Sequence, residues 1–141
     1  MKKGILFASL AAFALLVTGC NLLESDVQKK LHCTMSEDAG GATTTSTMDV
    51  NFKGDKAEDI TMEIVIDYTD DYASFVDVFK QTLESQRGKL EDIGYEVTIT
   101  SGDNSQKLRA YGTYESLDAS EANGTYEATK KSFEDSGYTC K

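Results

Sequence analysis

The sequence Ile60-Thr61-Met62-Glu63-Ile64-Val65-Ile66 decides the fold, because apolar side chains fall on every second residue of it. Successive side chains of a β-strand point to opposite faces of the sheet, so this alternation is typical of a strand with one buried face. The even positions should therefore face a core. One strand cannot cover that face alone, and the flanking sequence must supply neighbouring strands and a layer packed on them.

The sequence before this strand predicts two more strands, each ending in a tight turn. Residues 30–36 alternate between apolar and polar side chains and lead into Asp38-Ala39-Gly40-Gly41, a turn sequence. Residues 42–52 are rich in threonine, a β-branched residue that fits a pleated surface. Lys53-Gly54-Asp55-Lys56 supplies the second turn. Three strands joined by short turns predict an antiparallel meander over residues 30–68.

The sequence after the meander predicts a helix followed by a hairpin. Thr69 or Asp70 can cap the start of the helix. Its apolar residues recur with helical spacing as far as Ile93, with Phe75 widening the apolar side. Gly94 is suited to its C-terminal end. Residues 95–114 then alternate as two strands joined by a polar turn.

The last part of the chain predicts a loop, a second helix and a short extension. Residues 115–124 are polar and favour a loop. A shorter helix starts near Thr125, carries Phe133 on its apolar side and stops at Gly137. Residues 138–140 are too few to identify, and one more strand is one interpretation of them.

Together these segments predict an α+β fold. Its antiparallel sheet has about five strands, the order of elements is β-β-β-α-β-β-α, and two helices pack on one face. The sequences Leu90-Glu91-Asp92-Ile93-Gly94-Tyr95 and Phe133-Glu134-Asp135-Ser136-Gly137-Tyr138 echo each other at an offset of 43 residues. Either a β-β-α unit was duplicated, or both segments show the usual ending of a helix at glycine before a strand. Both interpretations support the same architecture.

The first twenty residues predict an export signal with a lipid anchor. Lys2 and Lys3 precede an uncharged apolar run of about 13 residues, which is shorter than the roughly 20 that a membrane-spanning helix needs. Val17-Thr18-Gly19-Cys20 follows, and it resembles the lipobox of bacterial lipoproteins. This resemblance implies that Cys20 takes a diacylglycerol group and becomes the first residue of the mature chain. The alternative is an ordinary signal peptide with an incidental cysteine.

The predicted organisation is a signal peptide over residues 1–19, a lipidated cysteine with a polar tether over 20–29, and a single domain over 30–141. About 120 residues remain after cleavage, which fits one domain. The whole chain carries 14 lysines and arginines against 24 acids. Because so acidic a protein repels phosphate, we expect no nucleic-acid partner. We expect membrane attachment through acyl chains on Cys20 rather than through a basic surface.

The other two cysteines, Cys33 and Cys140, stand near opposite ends of the predicted domain. Exported chains meet an oxidising environment, so we predict a disulfide between them. In the chain-entropy model, closing a loop of this length stabilises the fold by roughly 4–5 kcal/mol. Two free thiols or a thiol–metal site are the alternatives.

Residues that could carry catalysis or hold a metal are sparse. His32, the single histidine, adjoins Cys33, but neighbours on a strand point to opposite faces, which argues against a dyad. The sequence contains no phosphate-binding loop and no paired cysteines at zinc spacing. We therefore predict a protein that is not an enzyme, with no catalytic residue, cofactor or metal. A weaker interpretation is calcium binding by the acids of residues 67–71 or by Asp103-Asn104-Ser105, although neither has the spacing of a full calcium loop.

The chain as a whole resembles the YehR-like family of small bacterial lipoproteins, whose members have no known function. The resemblance rests on the lipobox, on the turn Phe52-Lys53-Gly54-Asp55-Lys56 between two strands, and on the last helix, which ends over residues 133–137. It implies this fold and a position at the outer face of a membrane. Asn21, rather than aspartate, follows Cys20, and its resemblance to the sorting rule of two-membrane bacteria implies the outer membrane if the organism has two. It implies no catalytic residues.

Two functions are expected from these features. The first is a monomeric, lipid-anchored envelope protein that binds another protein or an envelope component without enzymatic activity. The second is a lipoprotein that holds a small ligand or a cation among acids and tyrosines, in a pocket between the sheet and the helices. The tyrosines can equally edge the core with their hydroxyls in water, since the ring is apolar and its tip is polar.

Overall fold

The computed structural model describes residues 27–115 and 124–141. The predicted signal peptide, Cys20 and most of the predicted tether and loop lie outside the described residues. The described elements are β1 (Gln28–Asp38), β2 (Ala42–Lys53), β3 (Lys56–Tyr68), a 3₁₀ helix (Asp70–Phe75), α1 (Val76–Asp92), β4 (Glu96–Ser101), β5 (Ser105–Thr113), α2 (Tyr126–Asp135) and β6 (Thr139–Cys140).

The strands form one six-stranded sheet in the order β4-β5-β3-β2-β1-β6. Every neighbouring pair is antiparallel. The predicted α+β class, the meander and the hairpin are confirmed. The sixth strand is β6, which consists of two residues and was one of the interpretations of the C-terminal extension.

One face of the sheet, called the core face below, carries the buried side chains. Ile60, Met62 and Ile66 of β3 are each at most 2% exposed, as their period of two predicts. The cross-strand partners Met48 and Val50 of β2 are buried beside them. The other largest fully buried side chains are Phe52, Phe133, Leu31, Leu83, Leu108, Gln106 and Cys33. The core therefore lies between the sheet and the helices.

Both helices pack on this core face. Helix α1 buries Phe79, whose ring lies 5.3 Å from that of Tyr68 at the end of β3. At the start of α2, the Tyr126 ring lies 5.4 Å from Phe52 of β2. The predicted arrangement of two helices on one face is confirmed.

The start of the first helical segment differs from the expectation. Thr69 precedes it, but the Thr69 side chain accepts no capping hydrogen bond. The chain first forms a 3₁₀ turn through Phe75, and α1 begins only at Val76. Phe75 is 49% exposed, so this apolar residue does not join the buried side of the helix as its spacing suggests.

The two helix ends explain the echo in the sequence. Tyr95 N donates to Leu90 O and Gly94 N donates to Glu91 O, both at 3.0 Å. The equivalent bonds at the end of α2, Tyr138 N to Phe133 O and Gly137 N to Glu134 O, are also 3.0 Å. Both glycines have positive φ, 99° and 96°. This pair of hydrogen bonds is the Schellman motif, which favours glycine and is often accompanied by an apolar contact, so the shared way of ending a helix accounts for the echo.

Candidate binding surface

The second face of the sheet carries the side chains that alternate with the core. We call it the open face; it consists of the even positions of β1 and β4, the odd positions of β2 and β5, and the odd positions of β3 from Asp59 onward, beyond a register shift between β2 and β3. Its side chains are half-buried or exposed. A sheet covered on one side only leaves such a flat surface in contact with solvent.

Hydroxyl groups line the part of the open face formed by β1 and β2. Thr43, Thr45 and Thr47 lie in a row along β2, and all three are half-buried. The Ser36 and Thr45 side-chain oxygens are 2.8 Å apart across the strands. Each hydroxyl can donate and accept, so this row can contact a polar partner without a fixed charge.

His32 lies on the open face and contacts Asp49 across the strands. Its Nδ1 is 2.8 Å from Asp49 Oδ1, and Lys30 Nζ is 3.3 Å from the same oxygen. The His32 side chain is 46% exposed. Cys33, the next residue, is fully buried on the other face. The structure therefore separates the two side chains, as the alternation of a strand requires, and pairs the histidine with a carboxylate that the sequence did not indicate.

β5 contributes the largest side chains of the open face. Arg109 is exposed and stands opposite Glu63 of β3, whose carboxylate lies 3.5 Å from the neighbouring Lys107 Nζ. Tyr111 is 39% exposed and follows Arg109 on the same face. Arginine and tyrosine are enriched among the residues that dominate protein interfaces. This pair combines a planar cation with an aromatic ring on a surface rich in hydroxyls.

The predicted disulfide is present at one edge of the sheet. Cys33 of β1 and Cys140 of β6 are bonded, with an S–S distance of 2.00 Å and a separation of 107 residues. The two residues are direct partners in the β1–β6 register. Beyond them, His32 and Lys141 exchange two backbone hydrogen bonds of 3.1 and 2.9 Å. The bond therefore holds the last residues of the chain against its first strand.

The other six tyrosines contribute to the core rather than to the open face. Tyr68, Tyr95 and Tyr138 are buried, and the remaining three are partly buried and pack against the core: Tyr72, Tyr114 and Tyr126. The Phe133 and Tyr138 rings lie 5.6 Å apart in an edge-to-face arrangement. These positions agree with the interpretation that the tyrosines belong to the core, but the Tyr138 hydroxyl is buried rather than in water.

Burial changes the acidity of three of these phenols. It raises the pKa of Tyr114 to about 12. It also raises the pKa of Tyr95, to which nearby Tyr114 adds a smaller electrostatic contribution. Burial also raises the pKa of Tyr138, and the nearby Ser46 side chain partly offsets this rise. The Tyr138 hydroxyl is buried, and no described atom meets the geometry of a hydrogen bond with it. All three phenols are therefore uncharged at neutral pH and can donate a hydrogen bond.

The two segments considered for calcium meet at one end of the sheet. Asn104 Nδ2 donates to Asp70 Oδ1 at 2.8 Å, and Asn104 O accepts from Tyr68 N at 3.0 Å. The amide thus joins the segments by a hydrogen bond. Within the described ranges, no group of three or more histidines, cysteines and acids is placed to hold a metal ion. Of the helices in those ranges, none is long and apolar enough to cross a membrane.

Sequence reasoning missed the open face as a unit. The signal was present in residues 107–111 of β5, where Lys107, Arg109 and Tyr111 alternate with buried Leu108 and Ala110. That alternation shows that the three polar side chains share a face. Their neighbours on that face depend on the pairing of β5 with β3, which residues distant in sequence determine.

The described geometry defines a class of protein: a two-layer α+β domain with one open sheet face. Its fold is similar to the NMR structure of the E. coli YehR protein, with a TM-score of 0.56 and 21% identity over 80% of this chain and 91% of that chain. An NMR structure of a Streptococcus pneumoniae TIGR4 protein aligns with a TM-score of 0.46 and 11% identity, over 89% of this chain and 92% of that one. No protein-family profile and no curated protein sequence matches significantly. The first likeness supports the YehR-like fold.

Proposed function

We propose that this chain is a lipid-anchored lipoprotein of the bacterial envelope, and that it binds another envelope protein through the open face without catalysing a reaction. The proposal combines the lipobox-like sequence that ends at Cys20 with the shape of the folded domain. Membership in the YehR-like family belongs to the same proposal.

The observation that carries the proposal is the asymmetry of the sheet. Phe79 of α1 and Phe133 of α2 are buried on the core face, whereas Arg109 and Tyr111 of the open face are exposed. A partner that contacts this face can bury the Tyr111 ring and form charged hydrogen bonds with Arg109. An aromatic anchor beside an arginine is a common centre of such an interface.

Anchoring requires lipid on Cys20. Two acyl chains of a diacylglycerol group hold a protein stably on a bilayer, whereas one chain holds it only marginally. The domain can be acidic and still remain at an anionic membrane, because the chains rather than basic side chains supply the binding energy.

Mass spectrometry and cell fractionation test the anchor. When the chain is produced in a bacterium, we expect mature protein that begins at Cys20, carries the mass of a diacylglycerol and sediments with membranes. Cys20→Ala should abolish both the lipid and the membrane association. Cys140→Ala is the control, because it removes a cysteine far from the signal and should leave the lipid in place. Unmodified Cys20 in the mature wild-type protein contradicts the anchor.

Site-specific photo-crosslinking in intact cells tests the open face. A photoreactive amino acid replaces Tyr111 in one variant and exposed Lys80 of α1, on the helical side of the molecule, in the other. We expect a protein adduct from position 111 only, and we expect Arg109→Glu to reduce it because the substitution reverses the charge at the surface. Adducts of equal yield from both positions contradict binding by the open face.

A further inference from the structure

We propose that β4 is the site where a second copy of this chain binds, so that two sheets join edge to edge across a twofold axis. This goes beyond the proposed function, which concerns the open face. The proposal rests on the direction of the backbone groups of β4, on its charge and on the self-complementary order of its residues.

β4 is an edge strand with outward-facing backbone groups. It lies at one end of the sheet, and no described strand lies beyond it. Gly102 N donates to Ser105 O at 2.8 Å in the hairpin, and hydrogen-bonded pairs recur at every second residue of an antiparallel ladder. The even residues of β4 therefore bond to β5. The N–H and C=O groups of Val97, Ile99 and Ser101 therefore point away from the sheet, and no strand within residues 27–115 and 124–141 pairs with them.

β4 also lacks the features that normally prevent edge pairing. Native edges are protected by short strands, by lysine or proline, or by bulges. β4 has six residues, Glu96-Val97-Thr98-Ile99-Thr100-Ser101, with a single charge at one end and with no lysine or proline. Its register with β5 runs without a bulge. In a chain whose formal net charge is −10, this strand offers a segment on which two copies can meet with little charge repulsion.

The order of residues is self-complementary when the twofold axis passes through Thr98. Antiparallel pairing then places Val97 opposite Ile99 of the second copy, and the converse pair follows by symmetry. The backbone N–H and C=O groups of both residues point away from the sheet, so the two pairs form four backbone hydrogen bonds between the copies. Their side chains are half-buried on the core side, and each covers the exposed part of the other. On the open face, Thr98 meets Thr98 of the second copy, a favourable cross-strand pair.

This register also keeps like charges apart. Glu96 stands opposite Thr100 of the second copy rather than opposite Glu96. Pairing through one short strand buries little surface compared with a standard interface of roughly 1,600 Å². We therefore expect a weak dimer whose population depends on concentration, and whose association strengthens with salt because salt screens the repulsion between two acidic chains.

Sedimentation velocity tests whether the dimer exists. The whole chain is used, and detergent keeps its apolar first segment in solution. Concentrations up to about 1 mM are needed to populate a dimer whose Kd lies near 1 mM. We expect a reversible shift from monomer to dimer. If the chain is a monomer at every concentration, the proposal is overturned. This holds even if β4 instead binds an extended segment of another protein.

Charge substitutions at the twofold axis test the register. Thr98→Glu places two carboxylates opposite each other in the dimer, and Thr98→Lys places two ammonium groups there. Each variant alone should weaken dimerisation about tenfold, because like charges directly opposite each other are destabilising. An equimolar mixture of the two variants should regain dimers, as Glu–Lys heterodimers. Within its own chain Thr98 faces Arg109, so Thr98→Glu should fold at least as well as the wild type.

Thr139→Glu and Thr139→Lys are the matched controls. Thr139 is an exposed threonine on β6, at the opposite edge of the sheet. These substitutions should leave the dimer Kd unchanged. If Thr98→Glu has no effect on the Kd, or if the mixture of Thr98 variants does not recover dimers, the proposal is overturned.

Amide hydrogen exchange provides a second measurement that does not depend on variants. Raising the concentration of the wild-type chain should slow exchange at Val97 and Ile99, whose N–H groups enter hydrogen bonds only in the dimer. The amide of Thr98 should not change, since it already bonds to β5. A dimer that forms without added protection at Val97 and Ile99 uses another surface and overturns the proposal.

Discussion

The two edges of the sheet differ in how they end, although strands of one antiparallel sheet form both. At the β6 edge, a two-residue strand is bonded to β1 by the Cys33–Cys140 disulfide. At the β4 edge, a six-residue strand pairs with β5 through backbone hydrogen bonds and carries no cysteine. A short strand and a covalent bond protect an edge from pairing with another chain. The two edges therefore differ in attachment: β6 is bonded covalently to β1 over a two-residue register, whereas β4 presents the longer run of backbone groups on which the proposed dimer rests.

Removing the disulfide should have the largest effect on stability. Cys33→Ala with Cys140→Ala should lower the free energy of unfolding by roughly 4–5 kcal/mol, because the bond no longer restricts a loop of 107 residues in the unfolded chain. Guanidinium titration of the variant and the wild type measures the loss.

Reducing agent supplies the control for this prediction. It should destabilise the wild type by a similar amount and leave the double variant unchanged. The dimer Kd at the β4 edge should be the same in the variant under conditions where both proteins are folded. An equal free energy of unfolding in the two proteins contradicts a stabilising role for the β6 edge.

Alkaline pH should have an intermediate effect, and it acts near the β4 edge. Tyr95 precedes β4, Tyr114 follows β5, and the pKa of Tyr114 is raised from 10.0 to about 12. Because the Tyr114 pKa is raised in the folded state, the contribution of the neutral phenol to the free energy of unfolding is fully present below pH 10. It is lost as the pH rises through about 12. We expect a loss of up to about 3 kcal/mol over this window, since one pKa unit corresponds to about 1.4 kcal/mol.

Comparison with Tyr114→Phe isolates the phenol from other groups that titrate at high pH. The free energy of unfolding, measured by guanidinium titration at a series of pH values, should fall less steeply between pH 10 and 12 in this variant than in the wild type. Parallel curves for the two proteins disagree with burial as the cause of the raised pKa.

Removing a helix-capping side chain should have the smallest effect on stability. The first helical segment and α2 should differ in this effect. Thr125 accepts a hydrogen bond from Ala128 N at 3.2 Å at the start of α2. Thr69 precedes the first helical segment without such a bond. Thr125→Ala should therefore cost about 1 kcal/mol of unfolding free energy. Thr69→Ala should cost close to nothing, and thermal unfolding of both variants measures the difference. Equal losses contradict this distinction.

Local patterns in the sequence predicted most elements of the fold. The period of two in residues 60–66 identified β3 and its buried face, because strand geometry forces alternation. Gly94 and Gly137 were recognised as helix ends, and both have the positive φ that favours glycine there. These features depend on a few neighbouring residues, so the sequence contains the information that is needed to read them.

Features that depend on distant residues could not be predicted in the same way. The pairing of β5 with β3, which places Arg109 opposite Glu63, joins residues far apart in the chain. The short extension at the C-terminus has no recognisable period, and β6 is defined by its partner Cys33 on β1. The 3₁₀ turn before α1 also departs from the helical spacing of Phe75, since that side chain remains exposed. Tertiary contacts decide such positions.

The position of the disulfide also sets the order in which the protein can be completed. β1 precedes the other described strands in the chain, and Cys140 lies on β6, the last of them. At about 5–20 residues per second, the ribosome needs roughly 5–20 s to cover the 107 residues between the two cysteines. Throughout that time β6 cannot pair with the outer edge of β1. The two edges of the sheet therefore become different only when β6 has been synthesised and Cys33 and Cys140 have been oxidised to the disulfide.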